Sequence, residues 1–128
     1  MGKLVLVIDD DPDVWETLAL RLHSFGYVVI SAKDGTQGYT KTKELKPDLI
    51  FLDLGLSAEN GLDVLKKLKT PSPDNVQNIP VIMLTGNEQQ EKVCLEAGAA
   101  GYITKPFDLF HLKETLAQFL PPSSKPSF

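Results

Sequence analysis

Five short apolar runs alternate with amphipathic segments along the chain, and this alternation limits the fold more than any other feature of the sequence. The runs are rich in Val, Ile and Leu and cover residues 4–8, 27–30, 49–52, 81–84 and 101–104. Near-continuous apolar runs of this length are typical of parallel strands that are buried on both faces of a sheet. The sequence therefore predicts a five-stranded parallel sheet.

The segments between the runs have the features of helices. Apolar residues recur every three or four positions in three of them: Val14, Leu18, Leu22 and Phe25; Leu62, Leu65 and Leu68; and Leu109, Leu112, Leu116 and Phe119. This spacing places them on one face of a helix. Asp11 followed by Pro12 predicts a helix start, as does Asn60, whereas Gly26 and Gly98 predict helix ends. Because strand and helix alternate five times, we predict a doubly wound α/β domain.

The size and composition of the chain fit one folded domain. Of its 128 residues, 42% are apolar and 23% are charged, which is ordinary for a soluble globular protein. We expect residues 1–120 to form this domain. Residues 121–128 are rich in proline and serine, and we expect them to form a flexible tail or the stub of a linker.

Charge and cysteine content narrow the possible functions. The net charge is −4 and the basic residues form no cluster, so we expect no direct binding to nucleic acid. The single cysteine, Cys94, has no partner for an internal disulfide, which suits a reducing compartment. The apolar run at residues 4–8 is too short for a signal peptide or a membrane span. We therefore expect a cytoplasmic protein without membrane contact.

Polar side chains follow four of the apolar runs directly. They are Asp9, Asp10 and Asp11 after the first run, Asp53 after the third, Thr85 after the fourth and Lys105 after the fifth. Ligands of open α/β sheets bind outside the carboxyl ends of the strands, so these side chains are expected to share one pocket. Asp11, beside Pro12, is better explained as a helix cap than as a ligand.

The residue types in this pocket favour phosphoryl chemistry. Crowded carboxylates repel one another unless a cation joins them, and oxygen ligands favour a hard cation such as Mg²⁺. Lys105 and Thr85 are suited to contact phosphoryl oxygens. The set therefore predicts a carboxylate that becomes an acyl phosphate.

Four motifs in the sequence resemble those of response-regulator receiver domains, which act in two-component signalling and include the single-domain chemotaxis regulator. They are VIDDDP at 7–12, DLIFLD at 48–53, VIMLTG at 81–86 and GYITKPF at 101–107. The resemblance extends from about Leu4 to Leu120. It implies a flavodoxin-like (βα)5 fold with the strand order 2-1-3-4-5.

The resemblance also implies residue roles. Asp53 matches the phosphoacceptor, which takes its phosphoryl group from a phosphohistidine on a sensor histidine kinase or a histidine phosphotransfer protein. Asp10 matches a direct ligand of Mg²⁺, for which Mn²⁺ can substitute, and Asp9 a ligand that acts through water. Gly55 matches the position whose backbone carbonyl completes the metal shell. Lys105 matches the lysine that contacts the aspartate and the phosphoryl oxygen.

Further roles concern the response to phosphorylation. Thr85 matches the switch hydroxyl, and Tyr102 matches the aromatic residue that turns inward when Thr85 moves. The bond between Lys105 and Pro106 matches one that is cis in the family. The last helix–strand–helix face would then control an output partner of unknown identity, and it could also form a homodimer. We expect no enzyme activity beyond self-catalysed phosphoryl uptake and hydrolysis.

Three positions differ from the family pattern. Ser57 stands where a proline usually follows the phosphoacceptor, so we expect a less rigid loop. Asn60 replaces a common Asp before Gly61. Gly38 lies in the second helix and is expected to weaken it by about 0.5–1 kcal/mol.

Two alternative functions stay open. A haloacid-dehalogenase-type phosphohydrolase would use Asp9 as the nucleophile and Asp11 as the acid, although the chain has little room for the cap insertion of such enzymes. A receiver-like adaptor would bind partners without phosphorylation. Tyr102 could also be a half-buried aromatic residue of an edge strand with no role in switching.

Overall fold

The computed structural model describes residues 3–57 and 59–120, apart from the side chain of Glu88. In chain order the elements are β1 (Leu4–Ile8), α1 (Pro12–Ser24), β2 (Val28–Ala32), α2 (Gly35–Leu45), β3 (Leu49–Asp53), α3 (Gly61–Lys69), β4 (Val81–Thr85), α4 (Glu91–Glu96), β5 (Gly101–Thr104) and α5 (Leu109–Phe119). Short 3₁₀ turns lie at Val76–Asn78 and Glu88–Gln90. The predicted tail, residues 121–128, lies outside the described residues.

The five strands form one parallel sheet in the order β2-β1-β3-β4-β5. This order confirms the predicted flavodoxin-like fold. Four of the predicted runs match their strands to within one residue. The second was placed too early, because Ser31 and Ala32 continue the ladder opposite Val7 and Ile8 although neither is a large apolar residue.

Alternate side chains of the central strands divide between two hydrophobic cores, one on each face of the sheet. The first core combines Leu6, Ile8, Ile50 and Leu52 with α3 and α4 residues that include Leu65, Leu68 and Cys94. The second combines Val5, Val7, Leu49 and Phe51 with α1 and α5 residues that include Leu18, Leu22, Leu112 and Leu116. Leu109 was predicted on the apolar face but is 43% exposed, because it begins α5 at the edge where the sheet ends.

The residues that were predicted to begin and end helices do so in the structure. The Asp11 side chain accepts a hydrogen bond from the backbone N–H of Asp13, and Asn60 caps α3 in the same way through Leu62. Gly26 and Gly98 follow α1 and α4 with φ of 94° and 112°, conformations that favour glycine. Asp11 therefore acts as a helix cap, as predicted.

The end of α5 is tied to the start of β2. The hydroxyl of Tyr27 donates a hydrogen bond to the carbonyl oxygen of Leu120 at 3.1 Å. Tyr27 precedes β2 at the amino edge of the sheet, so α5 ends at the edge opposite the strand carboxyl ends.

Among the helices of the described residues, the longest is α1, with 13 residues. Over residues 3–57 and 59–120, none is long and apolar enough to cross a membrane.

Candidate functional site

The carboxyl edge of the sheet brings the predicted site residues together. Asp9 follows β1, Asp53 and Thr85 end β3 and β4, and Lys105 follows β5. Asp9 is fully buried, and Asp53 and Thr85 are nearly so. They are fixed by strands that continue into the two cores, which gives the site a rigid base. With Asp10, Asp11, Gly55 and Asn87 among the lining residues, the edge opens into a cleft of about 530 Å³.

Lys105 joins two carboxylates from different strands. Its Nζ lies 3.1 Å from Oδ2 of Asp9 and 3.1 Å from Oδ1 of Asp53. Burial alone would lower the pKa of Lys105, but the hydrogen bond with Asp53 and the negative charges of both carboxylates raise this pKa above its ordinary value. Lys105 therefore stays protonated in the site. The bond between Lys105 and Pro106 is cis, as the resemblance implies.

Asp9 is held on both of its oxygens. Oδ1 accepts a hydrogen bond from the backbone N–H of Asp11 at 2.9 Å, and Oδ2 faces Lys105. Burial nevertheless raises the pKa of Asp9, because an ionised carboxylate loses solvation there and because Asp53 repels it. A further cation beside Asp9 would relieve this cost.

Asp10 lies at the mouth of the cleft and is bound by Ser57. The hydroxyl of Ser57 and its backbone N–H both donate to Oδ2 of Asp10, the N–H at 2.9 Å. These bonds lower the pKa of Asp10. We expected Ser57 to leave the loop between β3 and α3 less rigid, but its side chain ties that loop to the end of β1.

The three carboxylates form a set of oxygen ligands suited to a cation. One oxygen each from Asp9, Asp10 and Asp53 lies within 4.8 Å of the other two. Oxygen-only donors on a partly open cleft fit Mg²⁺, which binds one or two carboxylates and keeps several waters. Gly55 lines the cleft, and its N–H donates to Oδ1 of Asp53 at 3.1 Å. The residues present therefore fit the metal that the resemblance implies.

Thr85 and Tyr102 lie on neighbouring strands. The Thr85 hydroxyl oxygen accepts a hydrogen bond from the N–H of Asn87 at 3.0 Å, which holds it at the cleft wall. Tyr102 is half-buried and packs against the core that contains Met83. Thr85 therefore lies at the cleft wall, and Tyr102 lies on the adjacent strand against the core.

Besides the contact between Ser57 and Asp10, sequence reasoning missed two contacts that shape the site. Glu59 accepts a hydrogen bond from the N–H of Gly35 at 2.6 Å and so ties the loop between β3 and α3 to the start of α2. Gly61 lies so close to the backbone of Asp53 and Leu54 that any side chain would collide with it. The sequence signal for Gly61 was its position directly after the Asn60 cap, whereas nothing local indicated the Glu59 contact.

Comparison with known proteins agrees with this geometry. The family model of the response regulator receiver domain matches residues 5–117. The DNA-binding response regulator MtrA of Mycolicibacterium smegmatis is 39% identical over 109 residues, which are 84% of this chain and 46% of MtrA. The chain spans about half the length of the curated relatives that it matches.

Solved structures show the same likeness. The chemotaxis protein CheY4 of Vibrio cholerae has a TM-score of 0.84 and 25% identity, covering 94% of this chain and all of that one. The receiver domain of the sensor histidine kinase PA1611 from Pseudomonas aeruginosa has a TM-score of 0.84 and 27% identity, covering 95% of this chain and all of that one. Its structure has a magnesium ion in the active-site cleft.

The fold, the acidic cleft and these matches define a signalling domain of two-component systems. The chain belongs to the response-regulator receiver domain family.

Proposed function

We propose that the carboxylate of Asp53 is the phosphoacceptor and that the cleft around it takes a phosphoryl group from a phosphohistidine. The observation that carries this proposal is Lys105, which contacts Asp53 and Asp9 at 3.1 Å each within an acidic cluster. An oxygen of Asp53 would bond to phosphorus while the phosphorus–nitrogen bond breaks, and the electron pair of that bond would stay on the imidazole nitrogen. Lys105 and the N–H of Gly55 both bind Oδ1, so we assign the new bond to Oδ2.

We assign the cation site to the carboxylates of Asp9, Asp10 and Asp53, together with the backbone carbonyl of Gly55. Mg²⁺ is the ion that these donors suit, and Mn²⁺ is an acceptable substitute. When bound, the ion would supply positive charge to phosphoryl oxygens and carboxylates at once. Magnesium in the cleft of the PA1611 receiver domain supports the assignment.

The side chains around Asp53 then have separate tasks. Lys105 neutralises one phosphoryl oxygen and keeps the carboxylate in place. Thr85 turns its hydroxyl from Asn87 toward the phosphoryl group, and Tyr102 fills the space that Thr85 leaves. Phosphorylation adds about −1.5 to −2 charges and three acceptor oxygens, which is enough to bias such a two-state pair. The face formed by α4, β5 and α5 changes as a result and controls a partner or a second copy of the chain.

We also propose the phosphodonor, the bounds of the domain and its location in the cell. The phosphodonor is a sensor histidine kinase or a histidine phosphotransfer protein, and the domain comprises residues 1–120, with 121–128 as its tail or linker. MtrA is a DNA-binding protein of about twice this length, but the net charge of −4 argues against DNA contact by the present chain. We infer a cytoplasmic signalling module whose only catalysis is on its own phosphoryl group.

The phosphohydrolase alternative assigns the phosphoryl group to Asp9 instead. Asp9 is fully buried, and its two oxygens are engaged by Asp11 and Lys105, which leaves it poorly placed for attack on phosphorus. Asp11 caps α1 and is oriented by that role. These contacts favour Asp53.

Phosphoryl labelling tests the assignment directly. The chain is incubated with Mg²⁺ and acetyl phosphate, intact mass is measured, and borohydride reduction locates the modified residue. We expect one phosphoryl group on Asp53, which is absent in Asp53→Asn and without Mg²⁺ but present in the control Asp63→Asn, on exposed α3 surface. Label on Asp9 would establish the hydrolase alternative, and a folded chain without label would support the adaptor.

A further inference from the structure

Ser57 and Asp10 form a contact between two loops that are 47 residues apart in sequence. The backbone N–H and the hydroxyl of Ser57 both donate to the same oxygen, Oδ2 of Asp10. An exposed carboxylate ordinarily rotates among several positions. Two donors on one oxygen restrict the rotation of this carboxylate, and both of them bind Oδ2 and not Oδ1.

The loop that carries Ser57 is itself held at other points. The N–H of Gly61 donates to the carbonyl oxygen of Leu54 at 2.9 Å, which closes the loop at its base. Glu59 binds the N–H of Gly35 at the start of α2. Ser57 is therefore presented to Asp10 by a backbone that is anchored on both sides of it.

We propose that Ser57 is a positioning residue that orients Asp10 and thereby strengthens Mg²⁺ binding at the acidic cluster. The proposal rests on the cation site assigned under the proposed function. Ser57 itself touches neither the cation nor the phosphoryl group in this scheme. Because Ser57 already restricts Asp10, the side chain of Asp10 loses less conformational entropy when the ion binds. Groups that hold metal ligands in place commonly act in this way.

Competition between Ser57 and the ion for Asp10 would have the opposite effect on Mg²⁺ binding. If the ion had to take Oδ2, the two bonds to Ser57 would compete with it, and removing them would tighten binding. Orientation and competition therefore predict changes of opposite sign in the same dissociation constant.

A graded set of variants decides between them. Ser57→Ala removes the hydroxyl and keeps the N–H, Ser57→Pro removes both donors, and Ser57→Thr keeps both. The control Ser24→Ala removes a hydroxyl that donates to the carbonyl of Arg21 near the end of α1, at the opposite edge of the sheet. The Mg²⁺ dissociation constant is measured by calorimetry and by fluorescence of Trp15, which is the single tryptophan and lies in the first turn of α1.

We expect Ser57→Ala to weaken Mg²⁺ binding by about tenfold and Ser57→Pro by up to about a hundredfold. Ser57→Thr should stay within about twofold of the unaltered chain, because it keeps both donors to Asp10. Ser24→Ala should do so as well, because the Ser24 hydroxyl holds no ligand. In the metal-free chain, the amide proton resonance of Ser57 should move upfield when Asp10→Asn removes the charged acceptor. A melting curve without Mg²⁺ shows whether each variant is folded. If Ser57→Pro is unfolded, the result for Ser57→Ala alone tests the proposal.

Unchanged or tighter Mg²⁺ binding by Ser57→Ala would overturn the positioning role while leaving the proposed function intact. An unaltered chain that binds no Mg²⁺ and takes no label on Asp53 would instead overturn the proposed function. The two failures are therefore distinguishable.

Discussion

Gly38 lies directly against the side chain of Ile8. A Cβ built at Gly38 would stand 2.5 Å from Cδ1 of Ile8, well inside van der Waals contact. Ile8 is fully buried and immediately precedes Asp9. The absence of a side chain at position 38 thus lets α2 approach β1 next to the acidic cluster.

Gly38→Ala is expected to destabilise the chain by roughly 1–3 kcal/mol, because an added methyl group overpacks a filled core. Helix propensity alone predicts the opposite sign. Urea unfolding gives the free energy, and Thr40→Ala, at an exposed position of the same helix, is the control that should change stability little. A more stable Gly38→Ala variant would show that propensity outweighs packing at this position.

Lys105→Met should destabilise the metal-free chain by on the order of 3 kcal/mol, because it leaves buried Asp9 without its cationic partner. Added Mg²⁺ should then restore more stability to this variant than to the unaltered chain, since the ion replaces the missing positive charge. Unfolding in EDTA and in Mg²⁺ measures both effects. The control is Lys92→Met on the exposed surface of α4; equal losses in the two variants would contradict the role of Lys105.

Thr85→Ala should keep phosphoryl uptake on Asp53 but lose the response of Tyr102, because the methyl side chain has no hydroxyl to move toward the phosphoryl group. Fluorotyrosine labelling with ¹⁹F spectroscopy reports on Tyr102. Its signal is the one that is missing from the spectrum of Tyr102→Phe. Thr85→Ser should behave as the unaltered chain. Thr115→Ala, which removes another buried hydroxyl, controls for general loosening. If the ¹⁹F signal of Tyr102 still shifts on phosphorylation of Thr85→Ala, Tyr102 responds independently of Thr85.

Cys94 should resist thiol reagents in the folded chain. Its side chain is fully buried, and burial raises the pKa of the thiol above its ordinary value of 9.0. Because the folded chain then keeps a proton that the unfolded chain releases, stability should fall as pH rises above 9.0. The rate at which the thiol reacts with an aromatic disulfide reagent is measured. The control combines Val93→Cys with Cys94→Ala, which supplies an exposed thiol. Equal rates for the two chains would mean that α4 opens readily.

The fold was predictable because its strands appear in the sequence as uninterrupted apolar runs. The same rule misplaced β2, where Ser31 and Ala32 take their strand conformation from pairing with β1 and not from their own side chains. Local pattern also placed Leu109 on the buried face, since spacing along a helix does not show where the neighbouring sheet ends.

The candidate site was predictable to the level of its residues but not of its contacts. Strand ends located Asp53 and Lys105, and topology implied that they meet. The bond between Ser57 and Asp10 depends on the path of a loop, and neither residue has a local signal for it. The same holds for Glu59 and Gly35, whose contact joins segments 24 residues apart.

The bond between Tyr27 and Leu120 fixes where the chain leaves α5 relative to Asp53. The two ends of a five-residue strand are about 17 Å apart, and the Debye length under physiological salt is about 8 Å. A charge placed on Asp53 is therefore screened, through solvent, before it reaches the amino edge. We therefore expect a partner that contacts the domain near Leu120 to receive the signal through the packed side chains of β4, β5 and α5.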